Sequence, residues 1–141
     1  MVRAIAGVVG GFVAWMFIAT VGNLAMRIAW TSYADVEAAM TFTPTMLTAR
    51  LVLGAVCSLG AGWVVAWIAR RNRGAISALV VVLIVVFVPV HHELWEKFPL
   101  WYHAIFFLSL VVMTLLGTML SGKKTGERIG PSAGNAQDRQ A

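Results

Sequence analysis

Residues 74–90 read GAISALVVVLIVVFVPV, a run without a single Asp, Glu, Lys or Arg in which Val and Ile dominate. In a soluble protein such β-branched density would read as a buried strand. Its 17 residues exceed the usual strand, and an open strand edge cannot satisfy its backbone groups in lipid, so the segment reads as a membrane helix. Three more uncharged runs surround it, at 4–26, 51–69 and 98–122, and together the four hold 84 of 141 residues. About 20 residues at 1.5 Å each cross a bilayer core of about 30 Å.

The composition agrees: 60% of residues are hydrophobic and 12% charged, with a mean hydropathy of +0.81. The expected fold is an all-α integral membrane protein, a compact bundle of four transmembrane helices forming two antiparallel hairpins. Spans are expected at about 4–26, 46–69, 74–90 and 99–120. They form one domain over 1–122, followed by a disordered basic cytoplasmic tail at 123–141 that is rich in Gly, Ser, Asn and Gln. The first run is longer than the apolar core of a signal peptide and is read as a retained helix. Pro44 places the second helix start near Thr45, which puts Arg50 inside the span. The connections 70–73 and 91–97 are short, so consecutive helices are expected to be antiparallel neighbours. The longer connection leaves room for a short interfacial helix over 33–40.

Basic residues fix the orientation. With the N-terminus inside, Arg3, Arg70, Arg71, Arg73, Lys123, Lys124, Arg128 and Arg139 are cytoplasmic, and only Arg27, Arg50 and Lys97 lie outside. This positive-inside bias predicts both termini cytoplasmic in a bacterial-type inner membrane. It also accounts for the pI near 10.2 without nucleic acid as a partner. Trp30, Tyr33, Trp95, Phe98, Trp101 and Tyr102 then form an expected aromatic belt at the outer surface.

Small residues mark where helices can approach closely. Gly7 and Gly11 form a GxxxG pair, and Gly54, Ser58 and Gly62 form two consecutive small-xxx-small steps, so each set is expected against another helix. Packing of the first and second helices against each other within one subunit is the simpler reading; a homodimer seam is the alternative.

The polar residues supply the candidate site. Thr20, Asn23 and Arg27 share one face of the first helix, with Thr48 and Arg50 at similar depth in the second. Residues of this kind inside spans usually face a bundle interior or a water-filled cavity. Arg27 and Arg50 are therefore expected to join some of Asp35, Glu37, Glu93 and Glu96 in an outward-facing cluster, either a structural ion-pair network or a ligand site. His92-Glu93-Leu94-Trp95-Glu96 is one substitution from the HExxH zinc signature, which makes His92, Glu96 and His103 a candidate metal set. Ordinary interfacial use of these histidines is the simpler reading, with no cofactor; metal or haem binding is the alternative.

Several functions lack their chemistry. The uncharged runs supply no acidic residue or Lys for a proton relay, and Cys57 is the sole cysteine, so no intrachain disulfide forms. The first helix has no acid of the kind small multidrug transporters use, and the chain has no cysteine pair of the kind quinone-linked disulfide oxidoreductases need. Its third helix lacks the Phe and Thr pattern of fluoride channels. The expected function is a non-enzymatic accessory subunit, scaffold or binding module, surrounded by membrane lipid and able to join another membrane protein. A small-solute or anion pathway is the first alternative.

Overall fold

The computed structural model describes residues 1–122, and the tail expected at 123–141 lies outside the described residues. Five helices account for the fold: α1 (Val2–Ala29), α2 (Thr31–Glu37), α3 (Pro44–Ile68), α4 (Arg73–Glu93) and α5 (Leu100–Leu120). All but α2 are long and apolar enough to cross a membrane, so the chain is a multi-pass helical membrane protein. Local chemistry sets several boundaries. Thr43 caps α3 through its hydroxyl, which accepts from the Met46 N–H, and Pro44 fills the first turn. Asn72 caps α4 by accepting from the Ala75 N–H at 3.0 Å. The helix α4 continues past Pro89 to Glu93, three residues beyond the expected end of its span. Short α2 occupies Thr31–Glu37 rather than 33–40.

Helix order around the bundle is α1, α3, α5, α4, and α3 with its sequence neighbour α4 touch only sparsely. The expected contacts hold for α1 with α3 and for α4 with α5. They do not hold for α3 with α4, despite the short turn between them. Side-chain size explains the difference. Helix α3 carries Gly54, Ser58, Ala61 and Gly62 at its contacts, whereas α4 presents Leu79, Leu83 and Phe87 and cannot approach another backbone as closely.

Both small-residue sets face helices, but the expected packing of the first two spans against each other holds for Gly7, Gly11 and Ser58 and not for Gly54 and Gly62, which meet α5. A Cβ on Gly7 would stand 2.8 Å from Ala69 Cβ, and one on Gly11 would stand 3.1 Å from the Ala61 carbonyl, so this pair seats α1 on α3. Gly54 faces Phe106, and Gly62 faces the backbone of Thr114. Ser58 Oγ accepts from Trp15 Nε1–H at 3.2 Å while donating to the Gly54 carbonyl at 2.8 Å. Val9, Val13, Phe17, Val21, Val81, Val85 and Val88 remain exposed, as lipid-facing residues must.

The chain's two ends of the bundle differ in packing. The end holding residue 1, the 69–72 turn and residue 122 is closed by glycine contacts. The other end, which carries α2 and the 94–99 turn, is open enough to hold a cavity.

Candidate functional site

Asn23 and Arg27 lie one turn apart near the C-terminus of α1, and α2 folds back so that Glu37 meets both. Asn23 Nδ2 donates to Glu37 Oε1 at 3.0 Å, and Arg27 Nε stands 2.5 Å from Glu37 Oε2. The second contact is an ion pair. The Asn23 hydrogen bond, with Arg27 beside it, holds the Glu37 carboxyl below its ordinary range.

The network continues inward. Tyr33 OH donates to Asn23 Oδ1 at 3.0 Å and accepts from Arg50 Nη1 at 2.7 Å. Tyr33 is fully buried, which pushes its hydroxyl pKa up and keeps it neutral, so one oxygen can donate and accept together. Arg50 also lies over the Phe42 ring, 4.8 Å from its centroid. Its Nε is buried without a hydrogen-bond partner, and no carboxylate among the described residues comes within ion-pair distance.

Arg50 lines a cavity of about 470 Å³ bounded by α1, α3, α4 and α5. Thr20, Asn23, Arg27, His91 and Tyr102 give it a polar part; Leu53, Trp15, Phe87 and Phe106 give it an apolar part. Trp15 and Phe87 touch with centroids 4.4 Å apart, and Phe87 meets Phe106 at 5.4 Å. This aromatic layer is the floor. The Ser58 hydrogen bond holds Trp15 in that layer.

Of the expected cluster, Asn23, Arg27, Glu37 and Arg50 come together, although Arg50 reaches Glu37 only through Tyr33 and Asn23. Asp35, Glu93 and Glu96 are exposed and take no part in it. Glu93 ends α4 on its exposed face, and Glu96 lies in the turns that follow the C-cap Leu94, so both carboxylates stay outside the bundle.

The same ending separates the expected metal set. His92 and Glu96 do not share a helical turn and are exposed, whereas His103 is buried. His103 pairs instead with His91, Nδ1 to Nδ1 at 2.6 Å, under the stacked ring of Trp95. One of these nitrogens must donate and the other accept. Two nitrogens on a tetrahedral zinc with bonds of about 2.0–2.1 Å would stand about 3.3 Å apart, so this spacing is a hydrogen bond, not a vacant chelate. Among the described residues no three His, Cys, Asp or Glu side chains gather to share an ion.

Sequence reading missed Trp15, Tyr33, His91 and Tyr102 as site residues. Tyr33, Phe98 and Tyr102 are buried rather than part of an aromatic belt, whereas Trp95 and Trp101 are exposed and Trp30 is half-buried, as a belt requires. A polar handle on an aromatic residue beside a buried arginine was the available signal for Tyr33.

The Glu37 contacts predict a pH dependence. Its folded pKa lies below the ordinary 4.5, so its contribution to stability is fully present above about pH 4.5 and is lost as pH falls through the lowered value. Thermal unfolding of the wild type and Glu37→Gln should differ by a constant margin from about pH 5 to 7. That margin should close on acidification; a margin independent of pH would mean the Glu37 charge does not hold α2.

Searches for related proteins matched no family model, no curated protein and no solved structure.

Proposed function

We propose that this chain is a non-enzymatic membrane binding module that takes an anionic ligand in the cavity at the α2 end. The observation that carries this reading is Arg50, a cation lining a cavity at span depth with no carboxylate partner among the described residues. A charge in that position costs on the order of 2.5 to 3.5 kcal/mol at the bilayer centre and less towards the interface, and an anion offsets it. Binding is favoured over an anion pathway because the aromatic floor and the glycine-packed opposite half leave little room for a continuation. An accessory role beside another membrane protein is compatible with such a module.

The test is thermal unfolding of the purified protein in uncharged detergent with phosphate or short-chain carboxylates, against chloride at equal ionic strength. A ligand at a hundred times its Kd stabilises by about 2.7 kcal/mol. Stabilisation by the anions, absent in Arg50→Gln, is expected; no shift, or an equal shift in the variant, sinks the reading.

The proposed setting is a bacterial-type inner membrane with both termini cytoplasmic, supported by the asymmetry of Lys and Arg. The cavity would then open in the outer half of the bilayer. Single cysteines placed at Asp35 and Asn72 in a Cys57→Ala background should react with impermeant reagents from opposite sides, Asp35 from outside. Reaction of both from one side would overturn the four-span topology.

A further inference from the structure

The cavity has the length of one bilayer leaflet. Trp15, in its floor, stands near the middle of α1, and Arg27, at its mouth, stands near the helix end. Twelve residues separate them, about 18 Å at 1.5 Å per residue, close to half of the hydrocarbon core plus the start of the headgroup layer. Its polar groups gather towards the mouth and upper wall: Asn23, Arg27, Arg50, His91 and Tyr102, with Thr20 about one turn below Asn23. Below them the lining is apolar and aromatic.

The cavity holds about 470 Å³. One side is open. Leu24 on α1 and Val90 on α4 both line the cavity, yet they are 54% and 45% exposed at a depth where the surroundings are lipid. The gap between them leads sideways into the bilayer, and Pro89 beside it removes a backbone donor from α4.

We infer that the ligand is an amphiphile with an oxyanion head, entering laterally between α1 and α4, its head at Arg50 and a hydrocarbon chain descending to Trp15, Phe87 and Phe106. This inference rests on reading the cavity as an anion site and adds the chemical class of the occupant. A hydrocarbon chain gains little by leaving lipid for an apolar slot, so the head supplies the selectivity. The chain concentrates that head in the leaflet and fills the slot. Arg27 is engaged by Glu37, which leaves Arg50 as the principal docking charge. A fatty carboxylate and a monoalkyl phosphate share this chemistry.

The probe is hexadecanoate carrying a diazirine near its chain terminus, photolysed with the full-length protein in zwitterionic nanodiscs, with labelled residues located by peptide mass spectrometry. Labelling is expected at Trp15, Phe87 or Phe106. It should fall at least tenfold in Arg50→Gln and be displaced by excess unlabelled hexadecanoate. Competition on the wild type, which needs no variant to fold, repeats the comparison with hexadecyl phosphate and uncharged hexadecanol. Stronger competition by either anion sustains the inference and names the head, whereas equal competition by hexadecanol overturns it. Labelling spread over lipid-facing Phe17, Val21 and Trp63 and indifferent to Arg50 also overturns it. If short-chain anions stabilise the protein while the photoprobe misses the floor, the anion site stands and the amphiphilic occupant fails. If neither binds, both readings fail.

Discussion

Gly62→Ala and Gly117→Ala are each expected to destabilise the bundle by about 1–3 kcal/mol or more, although alanine is the better helix former by about 1 kcal/mol. A Cβ on Gly62 would overlap the Thr114 carbonyl oxygen, and one on Gly117 would overlap the Leu59 carbonyl oxygen. Both obstacles are backbone, so no side-chain rotation relieves them. Helices α3 and α5 must move apart, and the contacts along their shared face loosen together. Gly10 and Gly60 provide the contrast, because a Cβ there meets chiefly the mobile ends of Ile68 and Ile18, namely their Cδ1 atoms. Gly10→Ala and Gly60→Ala should cost much less, or stabilise through helix propensity. Thermal unfolding in one detergent, followed by circular dichroism, ranks all four variants. The double variant at Gly62 and Gly117 should lose less than the two single losses combined, since either substitution already opens the same crossing. Four equal effects would show that helix propensity alone governs these positions.

That crossing also shows how far the sequence was legible. Uncharged runs located every span, because lipid penalises charge and unpaired backbone wherever it occurs. Small-residue spacing marked Gly54, Ser58 and Gly62 as contact positions for the same local reason. Which helix each would meet was legible only in part: Ser58 meets α1 as expected, but Gly54 and Gly62 meet α5, because partner choice depends on matching α3 to Thr114 and Gly117, about fifty residues away in sequence, rather than on chain connectivity. Boundaries carried similar consequences in the site. Three further helical residues at the end of α4 bring His91 into the bundle against His103 while His92 and Glu93 lie on the exposed face of the same turn, and the helix stop at Leu94 leaves Glu96 in the turns beyond it. The HExxE pattern was therefore correct as letters but lacked the helix its chemistry needs. Arg27, Asn23 and Arg50 were legible from depth and spacing. Tyr33 was not, because the tyrosine of an interfacial belt and the tyrosine of a buried hydrogen-bond chain look alike until the chain folds back.

Arg50→Leu is expected to leave the ligand-free protein folded, with stability within about 0.5 kcal/mol of wild type or above it, while removing the stabilisation by anions altogether. A buried ion pair broken on one side usually costs about 3–5 kcal/mol, because the remaining charge is stranded. Here no described carboxylate lies within ion-pair distance of Arg50, so its removal strands no charge. What is lost is the hydrogen bond to Tyr33 OH and the contact over Phe42. Tyr33 keeps its bond to Asn23, and leucine retains much of the apolar stem of the arginine. What is gained is relief of a desolvated cation whose Nε has no partner. These terms oppose one another at similar size, which is why the net change should be small. Unfolding midpoints with and without phosphate or short-chain carboxylate separate the possibilities. A loss of about 3 kcal/mol without ligand would identify Arg50 as structural, tied to a charge that the packing conceals. Undiminished stability together with lost anion response would place the cost of Arg50 where a binding site places it: carried by the empty protein and offset when the ligand arrives.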